Sequence, residues 1–194
     1  MPANSSPWFM GIPRLKCPPN TPSRSAMKLE EAWHVFLTSK QREETLRPRM
    51  QAVDLGAAPG GWTWQLVRRG IQVIAVDNGS IAPMVMESGL VKHQTLDAFG
   101  YIPLHPVDWM VCDIVEQPRR IAQLAAQWIA KKWCQHCIFN LKLPMKKRYD
   151  EIQLCKALIL AILAKTKIPY RLVFKQLYHD REEVTGYLSS KQPL

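Results

Sequence analysis

The stretch Ala52-Val53-Asp54-Leu55-Gly56-Ala57-Ala58-Pro59-Gly60-Gly61-Trp62 opens as a short apolar strand, breaks into a glycine-rich turn and continues as a helical segment, Trp62 to Arg69. Glycine lets a backbone turn sharply and lets a ligand approach it closely. A turn between a strand and a helix N-terminus is where nucleotide-type ligands bind in open α/β sheets. The spacing excludes two common ligands. Position 58 is Ala, so the pattern is not G-x-G-x-x-G, and no Lys-Ser/Thr follows the glycines, so it is not a P-loop. A ligand without a pyrophosphate or triphosphate is the expectation.

Working outward, Ile71 to Val76 reads as a second strand ending at Asp77, and Val91 to Leu96 as a third followed by Asp97. Asp108 to Cys112 is a fourth ending at Asp113, and Cys137 to Leu141 a fifth ending at Lys142. Helices are predicted over Lys28–Leu37, with Leu29, Ala32, Trp33 and Phe36 on one face, and over Arg119–Lys132, with Ile121, Leu124, Ala125 and Trp128 on one face. A third covers Tyr149–Lys165, with Ile152, Leu158, Ile159 and Ile162 toward the core. Strands alternating with helices give a parallel sheet with right-handed crossovers. The last two strands, Tyr170–Gln176 and Val184–Ser189, are joined only by the short polar run 177–183, so they should pair antiparallel. The expected α/β fold is a mostly parallel seven-stranded sheet with a terminal antiparallel hairpin and helices on both faces, the architecture of Rossmann-like methyltransferases.

An acid after the second strand, such as Asp77, can accept both hydroxyls of a ribose. Adenosine without pyrophosphate points to S-adenosylmethionine, and Asp97 stands where it could meet the adenine amino group. The charge balance agrees. The 194 residues carry a formal net charge of +10, which suggests a polyanionic partner such as nucleic acid. Residues 51–100, around the glycine turn, hold three basic and four acidic side chains, whereas every other block is net basic. A cationic cofactor there, with an anionic partner gripped elsewhere, fits that split.

Composition bounds the rest. With 47% hydrophobic and 22% charged residues the chain is ordinary globular protein, one domain's worth, with no repeat. The longest charge-free apolar run, Ala157–Ala164, is too short for a membrane span. Five cysteines without an apolar leader predict reduced thiols and a cytoplasmic chain. The first 25 residues hold six of the fifteen prolines and read as an extended, irregular arm; residues 26–194 form the expected domain. Cys134-Gln135-His136-Cys137 has zinc-like spacing without a second pair, so no metal is expected. Nothing signals a stable protein partner, and a monomer is expected.

If the cofactor donates a methyl group, the acceptor must be inferred. The motif of amino-methylating enzymes, Asn/Asp-Pro-Pro-aromatic, is absent where Asp113-Ile114-Val115-Glu116 stands, and neither Cys17 nor Cys112 sits in a cytosine-C5 context. What stands at the strand ends is Asp113 and Lys142, with Lys28 upstream and Glu183 before the last strand. A lysine closing the apolar run Ile138-Phe139-Asn140-Leu141 should be partly desolvated. Desolvation and a neighbouring cation would lower its pKa toward the range of a general base able to deprotonate a ribose hydroxyl. Two rival readings are a dehydrogenase-type NAD enzyme, disfavoured by the missing middle glycine, and an idle RNA-binding module on the same fold. The second is disfavoured because a binder has no need of two lysines and two acids at strand ends.

The segments Asp54 to Trp62, Val111 to Asp113 and Asn140 to Pro144 resemble the FtsJ-type ribose 2′-O-methyltransferases. The likeness extends from about residue 11 to 188, through Gly11–Leu15, Pro22–Ser25, Lys28–Ala32, Val76–Gly79, Phe139–Arg148 and Gln176–Thr185, and is closest to members acting on a 23S rRNA cytidine. It implies a Lys28-Asp113-Lys142-Glu183 tetrad with Lys142 as proton acceptor. It also implies cofactor contacts from Ser25, Ala58, Pro59, Gly60, Gly61, Asp77, Asp97 and Asp113. The implied partner is 23S rRNA, unassembled or as an early precursor. Members of that branch carry an N-terminal RNA-binding THUMP region, and the proline-rich arm resembles their interdomain segment. Apart from the resemblance, Lys146-Lys147-Arg148 closely follows the proposed base and reads either as a contact to RNA phosphates or as a solvated helix start.

Overall fold

A computed structural model describes residues 6 and 8–190. The first residues of the arm and the last four of the domain expected over 26–194 lie outside the described residues. Seven strands form one sheet: β1 (Gln51–Leu55), β2 (Gln72–Val76), β3 (Val91–Gln94), β4 (Val107–Cys112), β5 (Cys134–Lys142), β6 (Arg171–Lys175) and β7 (Glu183–Ser189), in the order β3-β2-β1-β4-β5-β7-β6. The first five are mutually parallel, and β7 runs antiparallel between β5 and β6. The strand order reverses between β1 and β4, so their C-terminal ends open a crevice at the topological switch point.

Side chains alternate across the strands and divide the core in two. Met110 and Cys112 of β4 and Phe139 of β5 pack with Ile121, Trp128 and Ile159. The last three lie on α5 (Pro118–Ala130) and α6 (Arg148–Leu163). Trp109 and Val111 face the other way, onto α1 (Ala26–Phe36) and α3 (Gly61–Val67), through Leu29, Trp33, Trp62 and Leu66. The predicted faces of α1 and α5 are buried in full. On α6 the predicted Ile159 is buried together with Cys155 and Leu163, four residues to either side, and the predicted Ile152, Leu158 and Ile162 pack half-buried against the same core.

Two α-helices among the described residues were not anticipated, the one-turn α4 (Pro83–Met86) and α2 (Ser39–Thr45), nor was a 3-10 turn at Phe9–Gly11. The signal for α2 was present: Thr38 accepts from the Gln41 backbone N–H at 3.2 Å, and the Gln41 side chain accepts from the Thr38 N–H at 2.9 Å, a capping box. Phe9 and Met10 of the arm are exposed, but the arm is fastened to the domain at several points. Pro13 is buried, the Trp8 ring stands 5.4 Å from His34, and the Leu15 carbonyl meets His179 Nε2 at 3.3 Å. No helix among the described residues is long and apolar enough to cross a membrane.

Candidate active site

The acid-base residues anticipated from four separate stretches meet where β4 and β5 end and the antiparallel β7 begins. Lys142 Nζ donates to Asp113 Oδ1 at 2.6 Å and to Glu183 Oε2. Lys28 Nζ donates to Glu183 Oε1 and lies 3.7 Å from Asp113 Oδ2. Two amines and two carboxylates thus alternate in a closed ring. Register explains part of this: Lys142 pairs directly with Glu183 across the β5–β7 ladder. Glu183 is buried in the ring, whereas Glu182 is exposed and bonds Arg148 at 3.2 Å.

Lys28 comes from a helix, and the start of that helix is fastened to α3. Trp62 Nε1 donates to the Ser25 carbonyl at 2.9 Å and Gln65 Nε2 to the Ala26 carbonyl at 3.2 Å. A Cβ at Gly61 would come within 2.6 Å of Ser25 Oγ, so only glycine permits this approach. The glycine turn therefore sets where Lys28 stands, and Ser25 lies at the junction.

Polar side chains behind Asp113 hold the ring. Asn140 Nδ2 donates to Asp113 Oδ1 at 3.0 Å, the Thr185 hydroxyl lies 2.8 Å from Asn140 Oδ1, and Asp180 accepts from the Leu177 N–H at 2.9 Å. Sequence reasoning gave Asn140, Thr185 and Asp180 no role in the ring. The signal for Asn140 was a lone amide inside an apolar strand, since a buried polar group must find partners. Asp54, at the end of β1, was likewise unassigned. It is fully buried and accepts from the Thr63 hydroxyl at 2.6 Å. Burial pushes its carboxyl up to about 7, against the Thr63 hydrogen bond and with help from the Asp113 charge. Burial also pushes Asp180 up to about 6.

The expected direction for Lys142 is overturned. Desolvation does act to lower its pKa, but the charges and hydrogen bonds of Asp113 and Glu183 outweigh it and hold the amine above the ordinary lysine value. Burial likewise acts to raise Glu183, and the hydrogen bonds from Lys142 and Lys28 pull it below the usual carboxylate range.

On the other side of the crevice, Asp77 follows β2. Its Oδ2 accepts from the Ala58 N–H at 2.9 Å and its Oδ1 from the Gly79 N–H at 2.6 Å. Each oxygen keeps a lone pair for a ligand hydroxyl. The turn through Gly56 has φ +75°, and a Cβ there would lie 2.3 Å from the Ile114 side chain, so only glycine fits where the turn packs against the residue after Asp113. The Ala58–Pro59 peptide is cis, and Gly60 caps the start of α3. Asp97 lies beyond the end of β3, exposed, with Oδ1 accepting from the Phe99 N–H at 3.1 Å.

Other anticipated features fall outside the crevice. Cys134 and Cys137 are buried thiols within β5, and desolvation pushes both pKa values up. Trp62 is core, and Trp64 carries Arg68 4.4 Å over its ring. Lys146 and Lys147 are exposed, four and five positions after Lys142 in the chain, while Arg148 is partly engaged by Glu182 and the Pro144 carbonyl.

The fold is that of the Rossmann-like methyltransferases. Solved structures of the same shape include the fibrillarin pre-rRNA processing protein of Methanococcus jannaschii (TM-score 0.55, 14% identity, 75% of this chain and 68% of that one). Another is magnesium protoporphyrin IX methyltransferase of Synechocystis PCC 6803 with bound SAH (TM-score 0.58, 15% identity, 84% and 82%). Residues 21–192 match the FtsJ-like methyltransferases, and the chain belongs to that family. It is 58% identical to ribosomal RNA large subunit methyltransferase M of Methylococcus capsulatus, over 97% of this chain and 53% of that protein. It is 56% identical to the protein of the same name in Cellvibrio japonicus, over 95% and 53%. The chain thus spans about half the length of the curated relatives it matches.

Proposed function

We propose that this chain transfers a methyl group from S-adenosylmethionine to a ribose 2′-hydroxyl of large-subunit ribosomal RNA, at a cytidine of the 23S molecule. The observation that carries the reading is the closed ring of Lys28, Glu183, Lys142 and Asp113 across the strand-end crevice from the glycine turn and Asp77. The names of the relatives supply the RNA class.

The residues present fit the cofactor. Asp77 offers both carboxylate oxygens to a ribose and is tied to the glycine turn through the Ala58 N–H. Ser25, Ala58, Pro59, Gly60, Gly61, Asp97 and Asp113 complete the proposed contacts. When bound, S-adenosylmethionine supplies an electrophilic methyl on a cationic sulfonium, whose charge opposes protonation of a neighbouring amine.

The chain's own residues position the hydroxyl and handle its proton. Lys142 Nζ is the acceptor of that proton. Asp113 and Glu183 aim the amine, and they also favour its charged form, so Lys142 must shed a proton before it accepts one. Lys28 shares Glu183 and tempers that bias. Asn140 and Thr185 fix Asp113 from behind.

The test is tritiated-methyl transfer to undermethylated 23S rRNA with nuclease mapping of the label. Label on a cytidine 2′-oxygen is expected; label on a base would overturn the assignment.

A further inference from the structure

The turn between β6 and β7 holds an aromatic ring that neither the core nor the tetrad uses. Tyr178 is 56% exposed. Its neighbours on both sides are fixed: Leu177 is buried, and the carboxylate of Glu31, itself 2% exposed, accepts from the Tyr178 N–H at 2.7 Å, the His179 N–H at 3.0 Å and His179 Nδ1 at 2.6 Å. The His179 ring stands edge-on to the tyrosine at 5.2 Å, and the Arg14 guanidinium lies 5.8 Å from its centroid. A ring is therefore held in water by a backbone with little freedom left to lose. It borders a cavity of about 580 Å³ lined also by Arg24, Arg181, Lys28 and Glu183. Aromatic face, two exposed cations and half of the tetrad share one hollow, of a size that takes a small ligand.

We propose that this hollow holds the single-stranded nucleotide adjoining the acceptor, with its base stacked on Tyr178 and its phosphate met by Arg24 and Arg181. The assignment rests on the reading of the acceptor as an RNA ribose. Any base offers a π-face, so the ring grips without choosing sequence, and the cations make that grip salt-dependent. Stacking on a protein ring requires a base freed from its RNA neighbours, so unpaired RNA is the form that fits.

The test is titration of the full chain with a short single-stranded RNA carrying 2-aminopurine, followed by its fluorescence, with methyl transfer assayed in parallel. Quenching is expected with the parent chain and with Tyr178→Phe. Tyr178→Ala should lose the quench and weaken binding roughly 5- to 150-fold, the usual worth of one stacked base. Arg24→Gln should weaken binding to all sequences and flatten its salt dependence. No quench with the parent chain, or a Tyr178→Ala affinity within about twofold of the parent, would overturn the subsite. Methyl transfer without quench breaks the subsite alone. Quench without methyl transfer breaks the proposed chemistry and leaves the subsite standing.

Discussion

The two sides of the strand-end crevice are built in opposite ways. The side over β1 and β2 is local: one glycine turn and one aspartate, joined by a hydrogen bond between residues only 19 positions apart. The side over β4, β5 and β7 is assembled from four elements, and its ring is closed by a bond between residues 155 positions apart. The first presents a glycine-rich turn and one carboxylate. The second concentrates four charges. A cradle for a ligand can be built by one stretch of chain, whereas a proton-handling site needs charges whose balance only the whole fold can set.

That contrast breaks first at Lys142. Lys142→Ala should cut turnover by about 10²- to 10⁴-fold, the usual worth of a positioned base, while calorimetry shows nearly unchanged cofactor affinity. Lys142→Arg should be nearly as damaging, since a guanidinium keeps its proton at neutral pH. Wild-type turnover in the arginine variant would reduce Lys142 to a charge that holds the ribose.

The reverse experiment strikes the local side. Asp77→Ala should weaken S-adenosylmethionine binding by about 1–3 kcal/mol, the cost of losing hydrogen bonds to a charged acceptor. RNA affinity measured by filter binding should not move. An unchanged calorimetric affinity would remove Asp77 from the ribose contact.

Asp54, beneath both sides, sets a pH dependence of stability. Its carboxyl is raised from 3.8 in the unfolded chain to about 7 in the fold, so the folded state binds more protons between those values. Stability should therefore fall as pH rises from about 4 to about 7, by at most about 4 kcal/mol from this group. Asp180 adds in the same direction. Glu183, depressed in the fold, contributes stability above its unfolded value of 4.5 and loses it as pH falls. Asp54→Asn should flatten the loss between pH 4 and 7 in denaturant titrations; an undiminished slope would show that the buried carboxyl is not its source.

A last effect of pH is on rate. Because Asp113 and Glu183 hold Lys142 above the ordinary lysine value, its neutral fraction at pH 7 is small. Turnover under chemistry-limited conditions should rise about tenfold per unit from pH 7 and still be climbing at 9. A plateau near neutrality would mean that binding reverses the bias seen in the ligand-free ring.

Much of this was legible in the chain, and the reasons differ by residue. The glycine turn, Asp77, and the acids and lysine at strand ends are properties of contiguous segments, where apolar periodicity places a polar residue at the end of each strand. The Thr38–Gln41 capping box was equally local, and it marks α2. Asn140 was hidden because its partners, Asp113 and Thr185, lie 27 and 45 positions away. Glu31 was hidden for the same reason, its partners at 178 and 179 being remote in sequence.

By itself the sequence determined the alternation of strands and helices, the glycine turn, and which charged side chains close which strands, because backbone propensity and apolar spacing act over a few residues. Only the tertiary structure decided that Glu183 rather than Glu182 faces both lysines, that Gly61 lets α1 approach and deliver Lys28, and that Lys142 rests charged. That last sign depends on desolvation set against two carboxylates from different strands, and a balance of that kind exists only once the strands lie side by side.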